Sequence, residues 1–353
     1  MPRLDDHRAR ALIGVAHLTL AALSWGLAGP AFKLVDVDFL IRLVWRGQCS
    51  LVFIAPLFAA TCAARADTRA PWTRETIAGI AAVGTSMFAM FVGWNYGVSK
   101  TAFSHASVFS QTHPVFLLCI ASAKVAWKRR RGAVVDGEGE VKENDRYPGV
   151  VEWMCVAWTV CGVVVTATSP KSSSMKTPPT ALGDALSLGC GLASAFYALS
   201  MNKWFGANGI GIQNAPGIFV QATGAFVMTT YGILTLAMVP GTVWMSSSSP
   251  YDDGVFDWPK SDYLWPGIIG MGTLAIIGHV FITEALKRLP LLVVSLSLTL
   301  TPVLQTTFAY VLIGDDAPSA QTIIGGAIII SGIALTMVFE ERRRQRDSIV
   351  VDN

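Results

Sequence analysis

Two groups of polar side chains stand out in an otherwise apolar chain. His105, Ser107, Gln111 and His113 lead up to Pro114, while Ser295, Ser297, Thr299 and Thr301 lead up to Pro302, with Gln305 just beyond. A proline inside a helix removes one hydrogen bond and frees a backbone carbonyl one turn back. Irregular backbone of this kind, beside amide, imidazole and hydroxyl groups, offers neutral donors and acceptors to a small polar ligand. The serines and threonines alone serve equally well as glue between helices. Trp25, Asn95, Tyr197, Gln221 and His279 add aromatic and hydrogen-bonding groups within apolar stretches.

Charge in such stretches is scarcer and demands a reason. Arg46 lies too far inside its stretch to be a flank, so it either holds an anionic group or locks helices together. Arg42 is one turn nearer the end and can extend to the surface, as can Lys33 beside Asp36 and Asp38, and Lys124 opens a basic cluster. His105, His113 and His279 are the candidate proton carriers, which makes a proton a coupling ion to test for.

Catalytic patterns are missing from the sequence. There is no HExxH, GxSxG or GxxxxGK[ST], no paired carboxylates inside an apolar stretch and no metal-ligand spacing. The six cysteines sit in or beside apolar segments without CxxC spacing and read as small apolar residues. The chain is therefore expected to be no enzyme, with no catalytic residue, metal or cofactor, and not an ATP-driven pump.

These residues need elements to position them, and composition says which. Of 353 residues 52% are hydrophobic and 14% charged, with a mean hydropathy of +0.48, against about a quarter charged in an average soluble domain. Charge is concentrated in short clusters such as Lys128-Arg129-Arg130-Arg131, as loops and spans produce; the net charge of +3 points to no nucleic acid. The pattern predicts an all-α integral membrane protein with ten transmembrane helices near 11–35, 39–63, 76–98, 102–126, 149–168, 180–203, 215–239, 263–285, 290–313 and 319–339. Lys and Arg gather on one side of this arrangement and predict a multi-pass protein with both termini cytosolic. The first span is expected to be retained, not cleaved as a signal peptide.

The chain also repeats itself. At one fixed offset Lys100 aligns with Arg288, Ser107 with Ser295, Gln111 with Thr299, His113 with Thr301 and Pro114 with Pro302. In both copies a polar break and a Gly-containing apolar segment follow. Residues 11–168 and 180–339 thus read as two five-helix repeats, with tails at 1–10 and 340–353. An odd number of spans per repeat inverts the second copy relative to the first, the symmetry alternating-access carriers use.

Ser24-Trp25-Gly26, Lys33, Arg46, Pro114, Gly183-Asp184, Thr301-Pro302-Val303, Ile313-Gly314-Asp315 and Ile324-Gly325-Gly326 follow an order and spacing that resembles the EamA type of the drug/metabolite transporter superfamily. The resemblance covers nearly the whole chain. It implies ten helices in two inverted repeats around a cavity lined mainly by spans one, three, four, six, eight and nine, and transport of small organic solutes. The paired Lys and Lys-Arg signature of the sugar-phosphate branch is not seen.

The expected function is a secondary transporter that moves a small organic metabolite, an amino acid or similar polar solute, across a bilayer by alternating access. A nucleotide-sugar or sugar-phosphate exchanger of the same superfamily and a non-transporting membrane receptor are the alternatives. The expected substrate site is Trp25, Arg46, Asn95, His105, Gln111, His113, Tyr197, Gln221, His279, Thr301 and Gln305, with Pro114 and Pro302 at gating helix breaks. Monomer and homodimer both fit, as do plasma membrane and endomembrane.

Overall fold

Where no water reaches, every backbone N–H and C=O must pair within its own segment, and helices do this. A computed structural model describes residues 4–35, 37–69, 72–101, 106, 109–130, 148–168, 180–206, 209–238, 254, 264–314 and 320–351. The regular structure among them is entirely helical. The elements are α1 (Leu4–Leu34), α2 (Phe39–Ala64), a single turn (Ala66–Arg69), α3 (Arg74–Lys100), α4 (His113–Arg130), α5 (Val150–Ala167), α6 (Ala181–Phe205) and α7 (Gly217–Met238). A π-helical stretch (Leu264–Leu274) then runs directly into α8 (Ala275–Leu286), followed by α9 (Leu291–Leu298), α10 (Thr301–Ile313) and α11 (Ala320–Val351).

Seven apolar stretches are long enough to cross a membrane: Ala9–Phe32, Leu40–Ala64, Arg74–Lys100, Ala181–Phe205, Gly217–Met238, Trp265–Leu286 and Leu291–Leu312. Three shorter apolar stretches, His113–Trp127, Val150–Val165 and Ile323–Phe339, accompany them. The protein is thus an all-α chain of multi-pass membrane type. Residues 4–10 and 340–351 of the tails are helical extensions of α1 and α11.

Local chemistry sets the helix starts. The Asp38 carboxylate accepts from the Leu40 N–H at 2.9 Å, Thr73 Oγ1 from the Thr76 N–H at 3.2 Å and Thr180 Oγ1 from the Gly183 N–H at 3.2 Å, each satisfying a donor that lacks an intrahelical partner. α10 ends at Gly314, whose φ of 66° is a left-handed conformation that glycine adopts without a Cβ penalty.

The fourth expected span departs from the sequence reading. In place of one continuous helix over 102–126, the chain turns at Gln111-Thr112 and restarts as α4 at His113. The ninth turns at Thr299-Leu300 and restarts as α10 at Thr301. The prolines therefore sit at the second position of a new helix, where a missing N–H costs nothing. The two breaks share their backbone bonds: Val115 N–H to Thr112 at 3.0 Å corresponds to Val303 N–H to Leu300 at 3.1 Å, and Phe116 N–H to Thr112 at 3.3 Å corresponds to Leu304 N–H to Leu300 at 3.2 Å.

Packing follows small residues. A Cβ on Gly93 would lie 3.0 Å from backbone atoms of Leu186 and Cys190, so the Gly93-x-x-x-Gly97 face of α3 lies directly on α6. α5 and α11 cross where a Cβ on Gly162 would stand 2.8 Å from the Gly325 carbonyl. The neighbour relations also have a pattern. α3 packs on α6 as α1 packs on the π-stretch and α8, α3 packs on α7 as α2 packs on the π-stretch, and α2 pairs with α7 as α5 pairs with α11.

Candidate functional site

These contacts leave a cavity of about 260 Å³ bounded by α1, α2, α3, α4, α6, α8, α9 and α10 and by the turn ahead of α4. Trp25, Arg46, Asn95, Gln111, His113, Tyr197, His279, Thr301 and Gln305, all singled out in the sequence, line it, as does Pro302. Pro114 is buried but does not line it. His105 lies outside the described residues, as does Ser107.

Gln221 is also off the cavity wall, in the layer behind it. Fully buried, its Nε2 donates to Tyr197 Oη at 2.8 Å and to Thr283 Oγ1 at 2.8 Å. Tyr197 Oη in turn lies 3.1 Å from His279 Nδ1. With the phenol proton directed to Nδ1, neutral His279 carries its hydrogen on Nε2. That Nε2 has no partner among the described residues. The ring is fixed by aromatic edges, with Trp25 at 4.6 Å, Phe91 at 5.5 Å and Tyr197 at 5.5 Å between centroids.

Trp25 is held by its indole N–H, which donates to the Ala275 carbonyl at 3.2 Å. Gly278 makes room for it, because a Cβ there would meet Trp25 Nε1 at 2.5 Å. Asn95 is turned inward on its own helix, its Nδ2 donating to the Phe91 carbonyl at 2.8 Å. Gln305 donates from Nε2 to the Trp25 carbonyl over a long 3.4 Å.

Both breaks reach the wall. At the second, the Thr299 N–H turns to Leu296 and Ser297, which frees the Ser295 carbonyl. His113 Nε2 donates to that carbonyl at 3.0 Å. Gln111 Oε1, Ser295 Oγ and Thr301 Oγ1 have no partner among the described residues. Most other buried hydroxyls bond a carbonyl one turn back on their own helix, as Ser187, Thr223, Thr229 and Thr336 do, and serve neither the cavity nor a neighbouring helix.

Arg46 is buried to 6% exposure. Its guanidinium carbon lies 3.6 Å from the centroid of the Phe91 ring and 5.0 Å from that of Phe32. It has no carboxylate or hydrogen-bond partner among the described residues, and no described aspartate or glutamate lines the cavity. Arg42, which also lines it, donates from Nη2 to the Val37 carbonyl at 3.1 Å.

Trp94 stands near a span end, a place that suggests the interfacial belt, yet it lines the cavity. Phe91 and Ser194 are further wall residues with no sequence signal beyond helical spacing from Asn95 and Tyr197, and Ser110 stands directly beside Gln111.

No known family profile matches the chain, and no curated protein sequence matches it. A solved structure described as "Crystal structure of protein" is similar to it, with a TM-score of 0.63 at 16% identity over 94% of this chain and 98% of the other. At that identity the similarity is one of fold, and it extends over the whole bundle.

Proposed function

We propose that the chain is a ten-span secondary transporter of a small organic solute, built as two inverted five-helix repeats that open a shared cavity alternately to either side. The carrying observation is the pair of helix breaks, Gln111-Thr112 and Thr299-Leu300, which stand at the offset of the sequence repeat, share their backbone bonds and both border the cavity. A break at membrane depth is tolerated where it lines a cavity or is buried in protein. The neighbour relations support the same reading, since exchanging the first five helical segments with the second five reproduces them.

The three shorter apolar stretches complete the ten spans in this reading, and the basic clusters put both termini in the cytosol. The residues quoted for the EamA type of the drug/metabolite transporter superfamily make that the proposed family. The wall is mostly apolar and aromatic with a few neutral polar groups, which suits a metabolite-sized solute.

Flux tests it. The full-length protein in sealed proteoliposomes should accumulate labelled organic solutes above protein-free vesicles, and preloading with the same solute should accelerate uptake. A bound solute that never crosses would make the bundle a receptor and sink the transport reading. Repeating uptake with and without an imposed pH gradient separates a proton-coupled carrier from a facilitator.

A further inference from the structure

We propose that the solute this cavity takes is an organic monoanion with an apolar body, its negative group held by Arg46. The inference deepens the transport reading and rests on it for the word solute, but the binding chemistry is independent of whether the ligand crosses.

The argument begins with the geometry of a stacked guanidinium. Phe91 covers one face of Arg46 at 3.6 Å. All five N–H donors of an arginine lie in its plane, so an aromatic ring on the face takes none of them. Stacking lowers the cost of burying the cation without neutralising it. No described residue supplies the missing acceptor, and no described carboxylate lines the cavity. The planar donor fork suits a carboxylate or similar two-oxygen anion, which takes two parallel hydrogen bonds.

His279 lies beside Arg46 on the wall, its Nε2 buried and without a partner among the described residues. Arg46 and His279 both rest on Phe91. One uncompensated cation, one neutral donor and aromatic rings around them match one negative charge on an apolar frame. A dianion would bring a second charge beyond the one that Arg46 meets; Arg42, the other described cation on the wall, donates from Nη2 to the Val37 carbonyl. A cationic solute would meet Arg46 and no described carboxylate.

The test is calorimetric titration of the full-length protein in lipid nanodiscs with hexanoate, benzoate and phenylacetate, each against its uncharged amide, and with succinate as a dianion. At least one monoanion should bind roughly tenfold to a hundredfold more tightly than its amide and than succinate. Arg46→Gln should abolish the preference for acid over amide, and Arg46→Lys should keep part of it. Without ligand, Arg46→Gln should melt no lower than wild type, because it removes an uncompensated charge; a lower melting temperature with the acid preference intact marks a packing role and overturns the proposal. So does wild-type binding of amides or succinate as tight as that of every acid. If neutral solutes cross vesicles equally with Arg46→Gln, the anion inference fails and transport stands. If monoanions bind through Arg46 but never cross, transport fails and the inference stands.

Discussion

His113 Nε2 sits 3.0 Å from the backbone carbonyl of Ser295, so an imidazole at one helix break closes the hydrogen bond that the other break leaves open. The two residues are 182 positions apart in sequence and belong to different repeats in the proposed architecture. The bond couples the two breaks directly. His113→Leu should lower the melting temperature by an amount equivalent to about 1–3 kcal/mol, the cost of stranding a buried carbonyl. His113→Gln, which keeps a donor, should recover part of it. A thermal melt of the purified protein reads both, and an unchanged melt for His113→Leu would show that the bond carries no weight.

Gly162 against the Gly325 carbonyl predicts a steep size limit where α5 and α11 cross. Gly162→Ala should destabilise the protein by about 1–3 kcal/mol, because backbone has to move to admit the methyl group. Gly189→Ala is the control: its added Cβ meets nothing within 4 Å, and the substitution should be neutral or slightly stabilising. Equal melting temperatures for both variants would contradict the close crossing.

Gln221 acts on the cavity only through Tyr197. Its Oε1 is buried without a partner, so Gln221→Leu removes an unsatisfied acceptor along with the two donated bonds. Stability should therefore change by less than about 1 kcal/mol, while ligand affinity falls because Tyr197 and His279 lose their fixed orientation. Calorimetric titration beside a melt separates the two effects; a large loss of stability with unchanged affinity would reverse the assignment.

Glu284 joins two helices at one end of the bundle. Its carboxylate accepts from Lys287 at 2.5 Å, from Arg288 at 3.0 Å and from the Gly217 N–H at 2.8 Å. Glu284→Gln should cost about 2 kcal/mol, less than a fully buried pair would, since Glu284 and Arg288 are partly exposed. Lys287→Met should cost less than Glu284→Gln, because Arg288 and Gly217 keep their partner. The order of the two melting temperatures decides the matter.

Much of the site is legible because membrane sequence uses so few polar residues. Trp25, Arg46, Gln111, His113 and Tyr197 stand out against apolar neighbours, and the offset between Pro114 and Pro302 marks where the backbone breaks. What the sequence does not carry is depth behind the wall. Gln221 is as polar as Gln111, and only the packing of α7 against α2, α3 and α8 places it behind the wall. Trp94 fails in the other direction: proximity to a helix end suggests an interfacial residue, and only the close approach of α3 to α6 turns it inward. The π-helical opening of α8 likewise has no sequence signal that separates it from an ordinary apolar helix.

α5 and α11 pack mainly on each other, and neither contributes a described residue to the cavity wall. Rearrangement of the wall helices therefore need not disturb their crossing, and the pair can serve as a stationary post beside the part of the bundle that holds a ligand.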